Sequence, residues 1–127
     1  PVPEHTTVKG TPITKLMSAA DLEAINQRTR DGGAEIVKLL KTGSAYYAPS
    51  ASAVKMVRAV LNDTGEVIPS CVYLTGQYGL KDVYCGVPAA LGRGGVKKII
   101  ELAITDSQRA ALQASASDVR LNFEKLT

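Results

Sequence analysis

The sequence predicts an α+β fold, in which an antiparallel, twisted sheet is packed with long helices. Three observations predict it. Apolar residues recur at helical spacing on both sides of Gly43, short apolar segments divided by Gly-rich turns follow from Glu66, and an amphipathic helical pattern closes the chain. Because the chain has 127 residues and no internal repeat or linker, we expect a single domain, 1–127.

The composition is typical of a soluble globular protein, with 45% hydrophobic residues, 21% charged residues and a net charge of +3. The Lys and Arg residues are scattered, and their longest run is Lys97-Lys98, which argues against a nucleic-acid partner. No apolar run approaches the ~20 residues of a membrane span, so no membrane partner is expected. Cys71 and Cys85 lack metal-ligand spacing, and we expect buried free thiols in a reducing compartment and no metal site.

The first half is predicted to begin with a β-rich segment over 1–17, which folds around the Gly/Pro turn at 9–12. Ser18 has the character of a helix N-cap. Gly32-Gly33 would weaken or kink the helix that follows. An apolar stripe then resumes and stops at Gly43, the expected C′ residue of this helix. Pro49 suits the first turn of the next helix, which ends at Gly65.

The second half is predicted to be a meander of three antiparallel strands followed by a helix. The strands are expected near 66–74, 82–91 and 96–104, with Pro69 marking a bulge or an edge position. Thr105 and Gln108 form a capping-box pattern. The last helix carries apolar residues at helical spacing: Leu112, Ala116, Val119, Phe123 and Leu126.

The residues that could carry catalysis are few. The one histidine, His5, has no acid or cysteine spaced to work with it, so a surface histidine is the favoured interpretation. Gly92–Gly95 departs from the P-loop pattern and is expected to be a turn. Glu23, Asp31 and Glu35 fit solvated positions on a helix. Tyr46 and Tyr47 could form a ligand wall, although packing is the favoured interpretation.

Several segments resemble a known family of bacterial enzymes. Arg30–Val37, Gly43–Ser52 and the entry Thr6–Ile13 are similar to the carboxy-terminal domain of the malate dehydrogenases that are related to lactate dehydrogenase. Asp82–Pro88 and Gly92–Val96 also fit the pattern, and the resemblance spans essentially the whole chain. The tyrosine-containing segment is its specific part.

The resemblance implies the substrate-side half of an enzyme that interconverts malate and oxaloacetate with NAD. Its N-terminal Rossmann domain would be absent, and the catalytic histidine, aspartate and arginines would lie upstream, so no catalytic residue is assigned here and the chain alone should be inactive. The helix break would form one wall of the pocket, with Ser44 and Ala45 binding substrate and Pro49 facing the nicotinamide of NAD. The family also implies a cytoplasmic enzyme of the tricarboxylic acid cycle that assembles as a dimer or tetramer.

Two other interpretations stay open. The same fold serves as the carboxy-terminal domain of lactate dehydrogenases, where a threonine commonly stands in place of Ala45; the small alanine leaves room for a dicarboxylate and so favours malate. The chain could also be a stand-alone oligomerisation or interaction module that keeps only the assembly surfaces.

Overall fold

The computed structural model describes residues Pro1–Leu126 and confirms an α+β fold with an antiparallel sheet. The chain divides into two compact units, Pro1–Ser50 and a second that begins at Ala51. Three short 3-10 helices occur at Pro3–His5, Ile13–Lys15 and Gln77–Gly79. The longer elements are β1 (Thr7–Val8), β2 (Thr11–Pro12), α1 (Ala19–Leu40), α2 (Tyr47–Leu61), β3 (Glu66–Thr75), β4 (Lys81–Gly92), β5 (Gly95–Ile99) and α3 (Asp106–Glu124).

The first unit opens with a hairpin at the predicted Gly/Pro turn, but the segment 1–17 is not β-rich as predicted, because each strand has two residues and Pro3–His5 and Ile13–Lys15 are 3-10 helices. Strands β1 and β2 pair antiparallel, with Thr7 opposite Pro12. The turn between them places Lys9 at φ 50° and Gly10 at φ 82°. Both residues lie in the left-handed region, which glycine adopts without steric cost.

Helix α1 begins where the sequence predicts, because the Ser18 hydroxyl accepts a hydrogen bond from the backbone N–H of Asp21. Helix α1 runs without interruption from Ala19 to Leu40, so the glycine pair at 32–33, where the sequence predicts a weakened or kinked helix, does not end it. Arg28 donates across the glycine pair to Glu35 at 3.2 Å, and it spans two helical turns. Each glycine costs about 1 kcal/mol relative to alanine, which a long helix tolerates.

The end of α1 differs from the prediction by one residue. The helix stops at Leu40, Lys41 takes φ 60° as its C-cap, and Gly43 is therefore not the C′ residue. The Lys41 backbone N–H still donates to Val37 O at 3.1 Å, so the last turn closes before the chain reverses. Helix α2 starts at Tyr47, which places Pro49 in its first turn as predicted.

The second unit contains the predicted meander, with strand order β3-β4-β5 and antiparallel pairing throughout. Alternate residues of β3 and β4 point inward and form the core together with Tyr78, Leu80, Ala59 and Ala116. This alternation of buried and exposed positions is typical of a sheet with one covered face.

Pro69 occupies an edge strand, which is one of the two positions that the sequence allowed. It lies opposite Pro88, and the register there is regular. The Pro88 carbonyl accepts from Ile100 N at 2.8 Å, on the β5 side of the strand. Neither proline removes a hydrogen bond between β3 and β4, and the irregularity falls between Leu74 and Thr75 instead.

Strand β5 ends at Ile99, five residues before the predicted end at Ile104. Beyond Ile99, the side chain of the buried Tyr78 forms hydrogen bonds with backbone groups that a longer strand would have paired with its neighbour. The Tyr78 hydroxyl donates to Ile100 O at 2.9 Å and accepts from Leu102 N at 2.9 Å. The side chain therefore replaces the strand ladder in this segment.

Helix α3 begins with the complete capping box of Thr105 and Gln108 that the sequence predicts. It packs against β4 through Ala116, which is fully buried, and Leu112, which is half-buried. The later apolar positions Val119 and Phe123 remain exposed. The predicted stripe is thus covered over its first half only.

Candidate functional site

The candidate site is the segment that joins α1 to α2, for which we use the name connecting turn (residues 41–46). Ser44 is exposed, and Ala45 is the one half-buried residue of this turn. Pro49 follows in the first turn of α2 and is exposed. The structure therefore places the three residues singled out from the sequence within one short surface segment of the first unit.

A shallow cavity of about 120 Å³ lies against the connecting turn. Its walls are almost wholly apolar, and they come from the last turns of α1 and from the start of α2. The lining residues are Ile36, Leu40, Ala45, Tyr46, Tyr47 and Ala48. None of these six side chains carries a charge, so the lining offers shape and an apolar surface rather than a counter-ion for a carboxylate.

Tyr46 and Tyr47 stack against each other at a ring-centroid distance of 4.9 Å and an angle of 39°. They are 56% and 83% exposed, so the expectation that both serve core packing is wrong. Exposed aromatic rings beside a cavity are available to a ligand or to another protein surface.

Two lining residues were not recognised from the sequence as part of a site. Ile36 and Leu40 belong to the apolar stripe that the sequence predicts before Gly43, and they form the wall that α1 contributes to the cavity. Their spacing of four residues just before the helix ends was the available signal, because it puts both on the face that meets the returning chain. An ideal Cβ on Gly43 would lie 3.9 Å from Leu40 Cβ, so Leu40 also approaches the turn.

The other groups considered in the sequence lie outside this turn. His5 is exposed in the first 3-10 helix. Glu23 and Glu35 form exposed ion pairs with Arg30 and Arg28, and Asp31 is exposed as well. The chain at 92–95 is a turn, since β4 and β5 pair as a hairpin on either side of it.

The two cysteines have different environments. Cys85 is buried, as expected, and burial raises the pKa of its thiol. Cys71 is exposed, so the expectation of two buried thiols is wrong for it. Both are free thiols.

The part of the chain that the structure describes contains no group of three or more His, Cys, Asp or Glu residues arranged to hold a metal ion. No helix in that same part is both long enough and apolar enough to cross a membrane.

The residues present bear on only one end of the NAD that the resemblance implies. Pro49 is exposed and follows the exposed Tyr46 and Tyr47 along the chain, and apolar side chains of this kind are compatible with a nicotinamide ring. A dinucleotide also needs a Gly-rich turn between a parallel strand and a helix for its pyrophosphate. Within residues 1–126 all strand pairs are antiparallel, so the described elements do not form such a turn.

Comparison with known proteins identifies the family. The sequence profile of the lactate/malate dehydrogenase α/β C-terminal domain matches residues 1–127, and the chain therefore belongs to that family as this domain. It is 52% identical over 126 residues to the malate dehydrogenase of Chloroherpeton thalassium. The matched stretch makes up 99% of this chain and 41% of that protein.

Solved structures agree with the assignment. The malate dehydrogenase from Salinibacter ruber superposes with a TM-score of 0.95 at 43% identity, over 99% of this chain and 41% of that one. The lactate dehydrogenase from Cryptosporidium parvum superposes with a TM-score of 0.91 at 35% identity, over 95% of this chain and 42% of that one. The chain thus spans about two fifths of the length of the proteins that it resembles.

Proposed function

We propose that residues 1–127 act as the substrate-side domain of an NAD-dependent malate dehydrogenase, which interconverts malate and oxaloacetate. The observation that carries the proposal is the 52% identity, over nearly the whole chain, to a protein named malate dehydrogenase. The missing partner is the N-terminal domain that makes up the rest of such enzymes, and it would supply the catalytic histidine, aspartate and arginines.

In this proposal, NAD supplies the hydride chemistry when it is bound. Ser44 and Ala45 of the connecting turn bind substrate, and Pro49 packs against the nicotinamide ring. The half-buried Ala45 holds its methyl group against an apolar wall, and the exposed Ser44 offers a hydroxyl at the surface. These residues orient the substrate and exclude water, both of which favour hydride transfer.

Malate carries two carboxylates, and the charges that neutralise them would come from the N-terminal domain. The lining near Ala45 contains no cationic side chain, so this wall contributes room rather than charge. A small side chain at this position suits a larger dicarboxylate, because a methyl group occupies less of the pocket than a threonine would.

We also propose that the intact protein is a cytoplasmic homo-oligomer, a dimer or a tetramer, of the tricarboxylic acid cycle. Exposed apolar side chains on all three helices support assembly with other surfaces, since large exposed apolar residues commonly mark contacts between proteins. Val37 on α1, Val57 on α2 and Phe123 on α3 are examples.

Lactate dehydrogenase is the alternative, and the superposition on the enzyme from Cryptosporidium parvum supports it, although the malate dehydrogenase from Salinibacter ruber superposes more closely. The two proposals differ in the ratio of kcat/KM for malate to kcat/KM for lactate. We expect the intact polypeptide to favour malate with NAD by at least about 100-fold, which corresponds to roughly 2.7 kcal/mol of transition-state binding. A preference for lactate would support the alternative, and no turnover of either substrate would refute both.

A further inference from the structure

The connecting turn has little backbone support of its own. Lys41 N donates to Val37 O at 3.1 Å and Thr42 N donates to Leu40 O at 2.6 Å at its start. Ser50 N donates to Tyr46 O at 2.9 Å at its end. None of these three hydrogen bonds involves Gly43, Ser44 or Ala45, so the middle of the turn depends on side-chain contacts to hold its position.

Two side chains of α1 line the same cavity as Ala45. Ile36 and Leu40 are 41% and 42% exposed. Leu40 also lies within van der Waals reach of a Cβ placed on Gly43. Leu39 has the same chemistry one residue earlier, but it is 73% exposed and does not line the cavity.

We propose that Ile36 and Leu40 are positioning residues for the substrate. They support the connecting turn from the α1 side and set where Ala45 meets the bound dicarboxylate, without touching the substrate themselves. This inference rests on the proposed function, since it assigns a cause to the position of its substrate-facing residue.

The physical reason is that catalysis depends steeply on where the substrate lies. A displacement of about 1 Å in a positioning group can lower the rate by about 100-fold. The connecting turn has no hydrogen bonds at its centre. We therefore expect it to move toward α1 when Ile36 or Leu40 is shortened, because the cavity leaves space for that movement. Pro49 is held by the regular hydrogen bonding of α2, so the nicotinamide end should be affected much less.

The test compares Leu40→Ala and Ile36→Ala with Leu39→Ala in the intact enzyme. Leu40→Ala and Leu39→Ala remove the same atoms from neighbouring positions of one helix and improve its intrinsic propensity equally. We expect Leu40→Ala and Ile36→Ala to lower kcat/KM for oxaloacetate at least about tenfold, with KM for NADH within about twofold of the wild type. Leu39→Ala should leave both quantities within about twofold, and Leu40→Met should restore kcat/KM for oxaloacetate because it conserves volume.

A variant that affects oxaloacetate but not NADH has lost positioning of the substrate, whereas a loss of general stability would not distinguish the two. A merely structural role would lower the melting temperature of Leu40→Ala without changing kcat/KM for oxaloacetate, and that result would overturn the proposal, as would equal effects at Leu39 and Leu40. If Leu40→Ala does not fold, Leu40→Met and Ile36→Val are compared, and an unchanged kcat/KM for oxaloacetate in Ile36→Val then overturns it. A wild-type enzyme without malate activity would instead refute the proposed function itself.

Discussion

Tyr78 is the side chain that fixes where the sheet ends. It is buried at φ 57°, and its hydroxyl bridges Ile100 O and Leu102 N. Its backbone N–H also donates to the Glu101 carboxylate at 2.7 Å. Three bonds from one residue thus hold the chain between β5 and α3, the region where the sequence predicts a continuing strand.

Replacing Tyr78 with Phe should lower the free energy of unfolding by about 1–3 kcal/mol, because two backbone groups lose their partner. Urea unfolding of the variant measures the change. Tyr84→Phe is the matched control, since Tyr84 is 58% exposed and the same substitution there should cost less than about 0.5 kcal/mol. Equal effects at the two positions would show that the Tyr78 hydroxyl does not hold this segment.

Asp63 joins the end of α2 to the β4–β5 hairpin. Its carboxylate accepts hydrogen bonds from Lys97 Nζ at 2.6 Å and from Arg93 N at 2.9 Å. The Lys97 contact, followed by the Arg93 backbone bond, holds the pKa of Asp63 below its usual 3.8. The folded state therefore binds the proton of this group less readily than the unfolded state does.

The stabilising effect of Asp63 is expected to be present above the unfolded pKa and to be lost as the pH falls through the folded pKa. Asp63→Asn removes the charge and still tolerates the backbone at φ 52°. We expect the wild type to be the more stable protein from pH 7 down to about 5, and the difference to shrink below about pH 4. A difference in unfolding free energy that does not change across this range would contradict the account.

At the scale of elements, regular patterns predicted most of the secondary structure. Alternation in β3 and β4 and the capping box at Thr105 lead to elements where they are expected. The error at the end of β5 occurs where a distant contact decides the outcome. The Tyr78 hydroxyl forms a hydrogen bond with the backbone after β5. This partner cannot be identified from local sequence, because the two residues are 22 positions apart.

The two faces of the sheet predict different reactivities for the two cysteines. Cys71 lies on the outward face, whereas Cys85 points into the core and burial raises the pKa of its thiol. An aromatic disulfide reagent at pH 8 should label Cys71 rapidly and Cys85 at least about 100-fold more slowly, since Cys85 must wait for the sheet to open. Cys71→Ser should remove only the fast phase. Rapid labelling of both thiols in the native protein would contradict this burial pattern.

At the scale of the whole molecule, the sequence predicted where the chain breaks between two helices but not the cavity beside that break. The break between two helical stripes located the connecting turn, and resemblance to a family suggested roles for Ser44, Ala45 and Pro49. The sequence does not predict the cavity wall made by Ile36 and Leu40, because the apolar pattern of a helix is the same whether that face lies against a core or a cavity. Only the path of the returning chain decides between them.

We propose that this chain is one wall of a malate dehydrogenase site and that the reacting groups belong to the rest of the enzyme. Malate-dependent reduction of NAD, followed by absorbance, tests it directly in two samples: the chain 1–127 alone and the intact polypeptide that carries it. We expect no turnover above background from the chain alone and sustained turnover from the intact polypeptide. Turnover by residues 1–127 without their partner, or an intact polypeptide that does not oxidise malate, would contradict the claim.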